Sequence, residues 1–294
     1  MKKKKYILAV SGGIDSIMLL DLFAKNIKKE DLLVAHFDHG IRDNSYLDAL
    51  FVKRLADNYK IDFVLGRGRL RRDTSEDEAR RKRYDFLYGI KKEYGGVIVT
   101  AHHKNDVAES IAINVSRGTG WRGLTVMNNL LVFRPLIYIT KEEIKKYVLK
   151  NNLSWREDQS NASNMYLRNR IRKDLESLPD EKKTYAVDKL FDLRNQQIKL
   201  SEQIELEVLS LIPTIYLDFK KPELGFRRHF FIMADEKVCL ELLRFIFKEI
   251  IGDSLTIKAR KNILIMIKVA KNNTLMTISK KHIIRFNTKS FTIE

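Results

Sequence analysis

Residues 11–16 read Ser-Gly-Gly-Ile-Asp-Ser, directly after the apolar run Tyr6-Ile7-Leu8-Ala9-Val10 and directly before Ile17-Met18-Leu19-Leu20-Asp21-Leu22-Phe23, where apolar residues recur with helical period. A glycine-rich turn that leaves a strand and opens a helix aims several backbone N–H groups at one point, and the helix dipole adds partial positive charge there. Such a point selects a phosphate or a pyrophosphate. The turn is not a P-loop, because the Lys-Ser/Thr pair that reaches the terminal phosphate and the metal is absent. Nor is it a dinucleotide fingerprint, which requires a third glycine. An ordinary glycine turn is the alternative, and the flanking strand and helix argue against it.

Charge narrows the partner. The 294 residues, 44% of them hydrophobic, suffice for two domains with cores of their own, yet the formal charge is +17. That excess goes beyond what solubility needs and points to a polyanion, nucleic acid ahead of a membrane surface or a generically basic proteome. Cys239 is the single cysteine, which excludes a disulfide framework, a zinc ribbon and a cysteine-ligated iron–sulfur cluster within this chain. Its neighbours Val238, Leu240 and Leu242 place it in a core. The stretch Met1-Lys2-Lys3-Lys4-Lys5 is basic, but Tyr6–Val10 is too short for a signal-peptide core, and no apolar run approaches membrane-spanning length. The expectation is a cytoplasmic protein with no membrane partner.

The first half alternates short β-branched runs with amphipathic stretches. Strands are predicted at Tyr6–Val10, Leu32–Phe37, Asp62–Leu65, Val97–Ala101 and Leu131–Arg134, and helices near Ser16–Lys28, Ser45–Lys60, Glu76–Glu93, Asp106–Ser116 and Lys141–Asn151. This alternation predicts an α/β fold, a parallel sheet doubly wound with ligands at the carboxyl ends of its strands. Ser75-Glu76-Asp77-Glu78 supplies a capping box for the third helix. From about Lys182 to Leu211 a long polar-rich helix, ended by Pro213, reads as a connector. Helices around Lys237–Ile250 and Leu255–Val269, then strand-like Thr277-Ile278-Ser279 and Ile283-Ile284-Arg285-Phe286, predict a small α+β domain. The expected organisation is a catalytic domain over 1–181, a helical connector over 182–212 and a C-terminal domain over 213–294.

Other chemical constellations sit just past predicted strand ends. His36-Phe37-Asp38-His39-Gly40-Ile41-Arg42 is either a metal site or a satisfied loop cluster, and its dense spacing is unlike the helical His-x-x-x-His of zinc enzymes. After Ala101-His102-His103-Lys104-Asn105-Asp106 comes a helix in which Asp106 and Glu109, three apart, share a first-turn face. These carboxylates either complement the helix dipole or contact a metal or substrate. Arg117-Gly118-Thr119-Gly120-Trp121-Arg122-Gly123 suits a nucleic-acid backbone, with Trp121 free to stack on a base; a surface turn with a half-buried Trp is the alternative.

The Ser11–Ser16 turn resembles the S-G-G-x-D-S loop of ATP pyrophosphatases. With it, in order, stand the His36–Arg42 motif, Glu78-Ala79-Arg80-Arg81-Lys82-Arg83-Tyr84, His102-His103-Lys104-Asn105-Asp106-Val107-Ala108-Glu109, Arg117-Gly118-Thr119-Gly120, Arg134-Pro135-Leu136 and Trp155-Arg156-Glu157-Asp158-Gln159-Ser160-Asn161, closed by Arg168-Asn169-Arg170-Ile171-Arg172. This set resembles the tRNA(Ile)-lysidine synthetase family across roughly residues 6 to 172. The family usually has Asp-Asp-Gln where this chain has Asn105-Asp106-Val107, and Glu-Asp-Pro-Ser-Asn where it has Glu157-Asp158-Gln159-Ser160-Asn161.

The resemblance implies attack by the ε-amine of L-lysine on C2 of the wobble cytidine in the C-A-U anticodon of tRNA(Ile), after ATP has adenylated the C2 oxygen. A ring carbonyl oxygen leaves poorly until AMP is attached to it, and an ammonium cannot attack until it loses a proton. By the same resemblance, Ser11, Gly12, Gly13, Ile14, Asp15 and Ser16 contact ATP, joined by His36, Asp38 and His102. Asp15 and Asp106 place Mg²⁺, Arg80 or Arg83 steadies the α-phosphate, and Glu109 holds the cytidine edge or the lysine ammonium. Arg168 and Arg172, one helical turn apart, grip RNA phosphates together with Arg117 and Trp121, unless the two form only a solvated basic face. A homodimer is compatible with this reading. The rivals are a tRNA thiolation enzyme, for which one cysteine is too few, and an inactive RNA-binding relative, against which Asp15, Arg80, Asp106 and Glu109 argue.

Overall fold

The computed structural model describes residues 3–41, 44–68, 70–71, 74–156, 167–217, 224–278 and 282–294. It divides into two compact units, 1–198 and 199–294.

The first unit is built on five parallel strands: β1 (Tyr6–Ala9), β2 (Leu32–Asp38), β3 (Asp62–Arg67), β4 (Val97–Thr100) and β5 (Val132–Phe133). Their spatial order is β3-β2-β1-β4-β5. Pairing sets Leu8 against Val34 and Val99, so alternate residues face opposite sides. Leu8, Val10, Val34 and Val99 pack under α1 (Ile14–Asn26), α2 (Tyr46–Tyr59) and α5 (Lys141–Lys150), through residues such as Leu20, Val52 and Ile144. Ile7, Leu33 and Ile98 pack on the opposite face under Leu87 and Ile90 of α3 (Glu76–Tyr94). Burial on both faces is why these strands read as continuous apolar runs rather than alternating ones. The doubly wound parallel sheet predicted from the sequence is therefore present.

Asp21 of α1 ties the first face together. Only 1% exposed, it accepts hydrogen bonds from the hydroxyls of Tyr59 on α2 and Tyr147 on α5, each at 2.7 Å, and from Lys25 at 2.8 Å. Burial alone would raise its pKa, but the contacts from Lys25, Tyr147 and Tyr59 outweigh that and hold it below the usual carboxylate value.

α4 spans Lys104–Ser116, two residues longer at its start than the predicted helix, and is followed after the sheet by α6 (Leu167–Glu176) and α7 (Asp180–Ile215). Phe191 of α7 packs on Val107 and Ile111 of α4. Pro213 does not end α7 as the sequence suggested. It lies in the last turn, where it forfeits a single backbone bond, to the exposed Leu209, and the helix runs on to Ile215.

The second unit carries an antiparallel sheet of β6 (Tyr216–Leu217), β7 (Leu224–Arg227), β8 (Thr274–Thr277), β9 (Ile283–Phe286) and β10 (Ser290–Ile293), ordered β6-β7-β10-β9-β8. Helices α8 (Arg228–Met233), α9 (Glu236–Phe245) and α10 (Ile257–Val269) cover it, and a π-helical turn over Ile246–Ile251 extends α9. Its core centres on Phe226, Phe231, Phe286 and Phe291, with the Phe226 and Phe291 rings stacked 5.4 Å apart. The predicted α+β character is found, but β6, β7, α8 and β10 carry no strong local pattern and were not foreseen. The strand foreseen at 277–279 is instead β8, three residues earlier, and Ser279 lies outside the described residues.

Candidate functional site

The strand order reverses between β1 and β4, and a cavity of about 980 Å³ opens at the carboxyl ends of these strands. In open α/β sheets ligands bind at such a reversal, outside the carboxyl ends of the strands. Three helices point their N-termini at it: α1 through Gly13 to Asp15, α4 through His102 and Asp106, and α5 through Lys141. Hydrogen bonds from the Lys104 N–H to the Ile139 carbonyl (2.9 Å) and from the Lys141 N–H to the Asn105 side-chain Oδ1 (3.0 Å) hold the starts of α4 and α5 side by side. Three positive helix ends on one cavity make an anion site.

The 11–16 turn is preformed. Ser16 Oγ accepts from the N–H groups of Ser11 (3.2 Å) and Gly12 (3.1 Å) and donates to the Gly13 carbonyl (2.8 Å). Gly12 has φ +95°, a conformation open to glycine, while the space beside it would admit a Cβ in ordinary contact. Its N–H is thus turned to Ser16, and the residue supplies the turn's shape, whereas Ser11, Gly13, Ile14, Asp15 and Ser16 line the cavity. The backbone N–H of Arg156 reaches the Gly12 carbonyl at 3.0 Å and pins the chain after α5 over the turn.

His36, Asp38 and His102 also line the cavity. His36 Nδ1 donates to the Val10 carbonyl at 2.8 Å, and burial holds its pKa below the ordinary value despite that bond. Asp38 Oδ1 accepts from Gly40 N–H at 2.8 Å, and the His39 ring packs edge-on against Phe37. Arg42, its last residue, lies outside the described residues. Among the described residues no three His, Cys, Asp or Glu side chains are grouped to cage a metal. His102 Nδ1 bonds Thr100 Oγ1 at 2.7 Å; burial, aided by Arg83, Arg134 and Arg80, brings its pKa down to about 3 and keeps it neutral.

Asp106 Oδ2 accepts the His103 backbone N–H at 2.9 Å, the dipole-complementing position at the third residue of α4. Burial would raise its pKa, but His103, His102 and the backbone bond together lower it. His103 Nε2 stands 3.6 Å from both Asp106 Oδ2 and Asp15 Oδ1, bringing the two aspartates to one spot. Asp15 Oδ1 also meets the Lys141 ammonium at 2.6 Å.

Glu109, the second carboxylate of the first-turn face, is paired with an arginine. Glu109 is 5% exposed, and Arg172 of α6 grips both of its oxygens, Nε to Oε1 at 2.8 Å and Nη2 to Oε2 at 2.9 Å. That contact raises the Arg172 pKa above the usual arginine value. Arg168, one turn earlier, forms an ion pair with Glu76 at 2.8 Å. The two arginines are thus neutralised where they stand and form no solvated basic face. Arg172 lines the cavity; Arg168 and Glu109 do not.

Arg83 reaches the cavity from α3, and Arg80 lies over the Tyr84 ring, 5.2 Å from its centroid. Neither has an ion-pair partner among the described residues. Burial and the charges of Arg80 and Arg168 press the Arg83 pKa below the ordinary value, outweighing Tyr84 and Glu76, which raise it. Arg117 and Trp121 lie away from the cavity. Arg117 is exposed at the end of α4, and Trp121, half-buried, stacks under Arg122 at 4.4 Å. Their loop is anchored by Asn114 to the Gly123 carbonyl (2.7 Å) and by Arg194 and Arg134, which both donate to the Met127 carbonyl.

Sequence reasoning missed Lys141, Lys145, Trp155 and Arg156 as cavity residues. One signal was available for Lys141: Thr140-x-x-Glu143 is a capping box, realised with Thr140 Oγ1 accepting from Glu143 N–H at 3.2 Å, and it marks a helix start beyond the fifth strand. Of the motif after Arg156, Glu157 to Asn161 lie outside the described residues.

Residues 1–178 match the PP-loop domain family. The chain is 35% identical over 181 residues to a tRNA(Ile)-lysidine synthase of Histophilus somni, covering 58% of this chain and 42% of that protein. It is 34% identical over 233 residues to a tRNA(Ile)-lysidine synthase of Rickettsia bellii, covering 76% and 53%. The chain spans about half the length of these curated relatives. Among solved structures, a U34-tRNA thiolase from Methanococcus maripaludis superposes with a TM-score of 0.55 at 16% identity, covering 69% of this chain and 74% of that one, a likeness of fold alone.

Proposed function

The chain belongs to the PP-loop domain family, and from that premise we propose that it is an ATP-dependent tRNA-modifying ligase that joins lysine to C2 of the wobble cytidine of tRNA(Ile), releasing AMP and pyrophosphate. The observation that carries the reading is the meeting of three helix N-termini, Asp15, Asp106 and Arg83 in one cavity, in a chain similar to tRNA(Ile)-lysidine synthases.

In this reading the Gly13 end of α1 receives the pyrophosphate, and Arg83, with Arg80 behind it, takes the charge of the α-phosphate as the adenylate forms. His102, neutral at physiological pH, contacts the nucleotide as a hydrogen-bonding group and not as a cation. Two carboxylates brought together at His103, with no third protein ligand grouped there among the described residues, match a Mg²⁺ ion that keeps water and phosphate oxygens in its shell. Asp15 and Asp106 would hold that ion, which when bound offsets the phosphate charge. Glu109 is assigned to the cytidine edge or the lysine ammonium, and either ligand must share its oxygens with Arg172 or displace it. Trp121 and Arg117 are assigned to base stacking and phosphate contact outside the cavity, a reading the +17 charge supports. Asn105 accepts from the Lys141 N–H, a bond an aspartate would make equally, so that departure from the family pattern leaves the site's frame intact. Thiolation chemistry finds no support in the chain's cysteine: Cys239 is 0% exposed in the second unit, and burial raises its pKa.

The test is to incubate the protein with ATP, labelled lysine and total tRNA. Label in RNA that depends on ATP, accompanied by AMP, is the expected result. AMP without label in RNA, or label independent of ATP, would overturn the assignment.

A further inference from the structure

Lys141 is the first residue of α5, where the dipole disfavours a cation. Its Nζ lies 2.6 Å from Asp15 Oδ1, and both side chains stay open to the cavity, 31% and 29% exposed. The pair is not needed to fasten α5 to α1. That is done by Tyr147 bonding Asp21 and by Lys25 bonding Asn151 Oδ1 at 3.0 Å. One turn further along α5, exposed Lys145 also lines the cavity, so the helix presents two ammonium groups in line toward it. The oxygen that Lys141 holds is also 3.6 Å from His103 Nε2, and His103 Nδ1 is buried with no hydrogen-bond partner among the described residues, so the surroundings of Asp15 are not closed around a permanent ion pair.

We propose that Lys141 is a phosphate-binding residue of this site. In the ligand-free protein its ammonium balances Asp15; with nucleotide present it turns to the pyrophosphate oxygens and releases Asp15 Oδ1, which keeps His103 Nε2 as its neighbour at 3.6 Å. The pyrophosphate is the part in reach, because α5 and α1 cover the same sheet face, whereas Arg83 approaches from α3 on the other. The inference rests on the ATP reading above.

The experiment is equilibrium binding by calorimetry on the whole chain, wild type against Lys141→Met, Lys141→Gln and Lys141→Arg, with three Mg²⁺-containing probes: α,β-methylene-ATP, inorganic pyrophosphate and AMP. Loss of one charge-assisted contact should weaken α,β-methylene-ATP and pyrophosphate by about 10- to 100-fold in the Met and Gln variants, with AMP affected less than about 3-fold. Lys141→Arg should stay near wild type. Equal or tighter pyrophosphate binding by both neutral variants overturns the inference, and so does an equal loss for AMP, which would mean a distorted site. A wild-type chain that binds none of the probes overturns the ATP reading itself, and the inference with it.

Discussion

Glu109 and Arg172 make a double-mutant cycle in which stability reports the site's wiring. The Glu109 side chain is 6% exposed and that of Arg172 is 29%, so the bidentate pair falls between a surface bridge, worth at most about 1 kcal/mol, and a sealed one, whose breakage costs about 3–5 kcal/mol. Glu109→Gln keeps one acceptor but strands a half-buried guanidinium, for an expected cost of about 2 kcal/mol. Arg172→Met strands a carboxylate that is more deeply buried, so its cost should be nearer 3 kcal/mol. The double variant strands neither charge and should lose only about 2 kcal/mol, well short of the sum. A coupling of roughly 3 kcal/mol follows. For a unit of this size each kcal/mol moves the melting midpoint by about 2–4 °C, so the Met variant should melt about 6–12 °C early. Urea denaturation followed by tryptophan fluorescence suits the measurement, because both tryptophans, Trp121 and Trp155, lie in the first unit with the pair. Single costs that add to within about 0.5 kcal/mol would refute the reasoning, since uncoupled residues behave that way.

Other outcomes are open to direct test. His102 has a folded-state pKa of about 3 against about 6.5 unfolded, so the unfolded chain takes up the proton first as pH falls. Its contribution is complete above pH 6.5, is lost progressively between pH 6.5 and 3, and amounts to about 2 kcal/mol lost by pH 5; His36 acts in the same direction, and His102→Asn should flatten this limb of a stability-against-pH curve. Asp15→Ala should abolish AMP formation while tRNA binding stays within about 3-fold, because in the proposed reading the carboxylate serves phosphates and not RNA; unchanged turnover would remove Asp15 from the site. Affinity for tRNA should fall with salt by roughly 0.7 to 0.9 log units per phosphate contact for each log unit of salt, and a slope near zero would end the argument from charge. Glu109→Gln should bind ATP normally yet transfer lysine at least ~100-fold more slowly in single turnover, whereas a parallel loss in both would place Glu109 at the nucleotide.

The first unit was legible because its information is local. A run of apolar residues, a turn that needs glycine at φ +95° and an apolar helical period lie within 23 residues, and each repeats the same choice of strand, turn and helix. The second unit was less so. Strands as short as Tyr216–Leu217 and Leu224–Arg227 have too few residues for a period, and they exist because β10 offers β7 a ladder and β7 offers one to β6.

The site divides along the same line. The sequence by itself determined the phosphate-selecting turn, the cap at Ser75, realised as Ser75 Oγ accepting from Glu78 N–H at 3.2 Å, and the order in which acid, base and arginine motifs follow the strand ends. Only the tertiary structure decided which charges meet. Asp15 and Lys141 are 126 positions apart, and Glu109 and Arg172 are 63 apart. Their pairing depends on the strand order reversing between β1 and β4 and on α6 returning across α4. Propensity and periodicity act over a turn or two of chain, whereas an ion pair forms wherever folding brings two charges within a few ångströms, and the sequence carries no local mark of that distance.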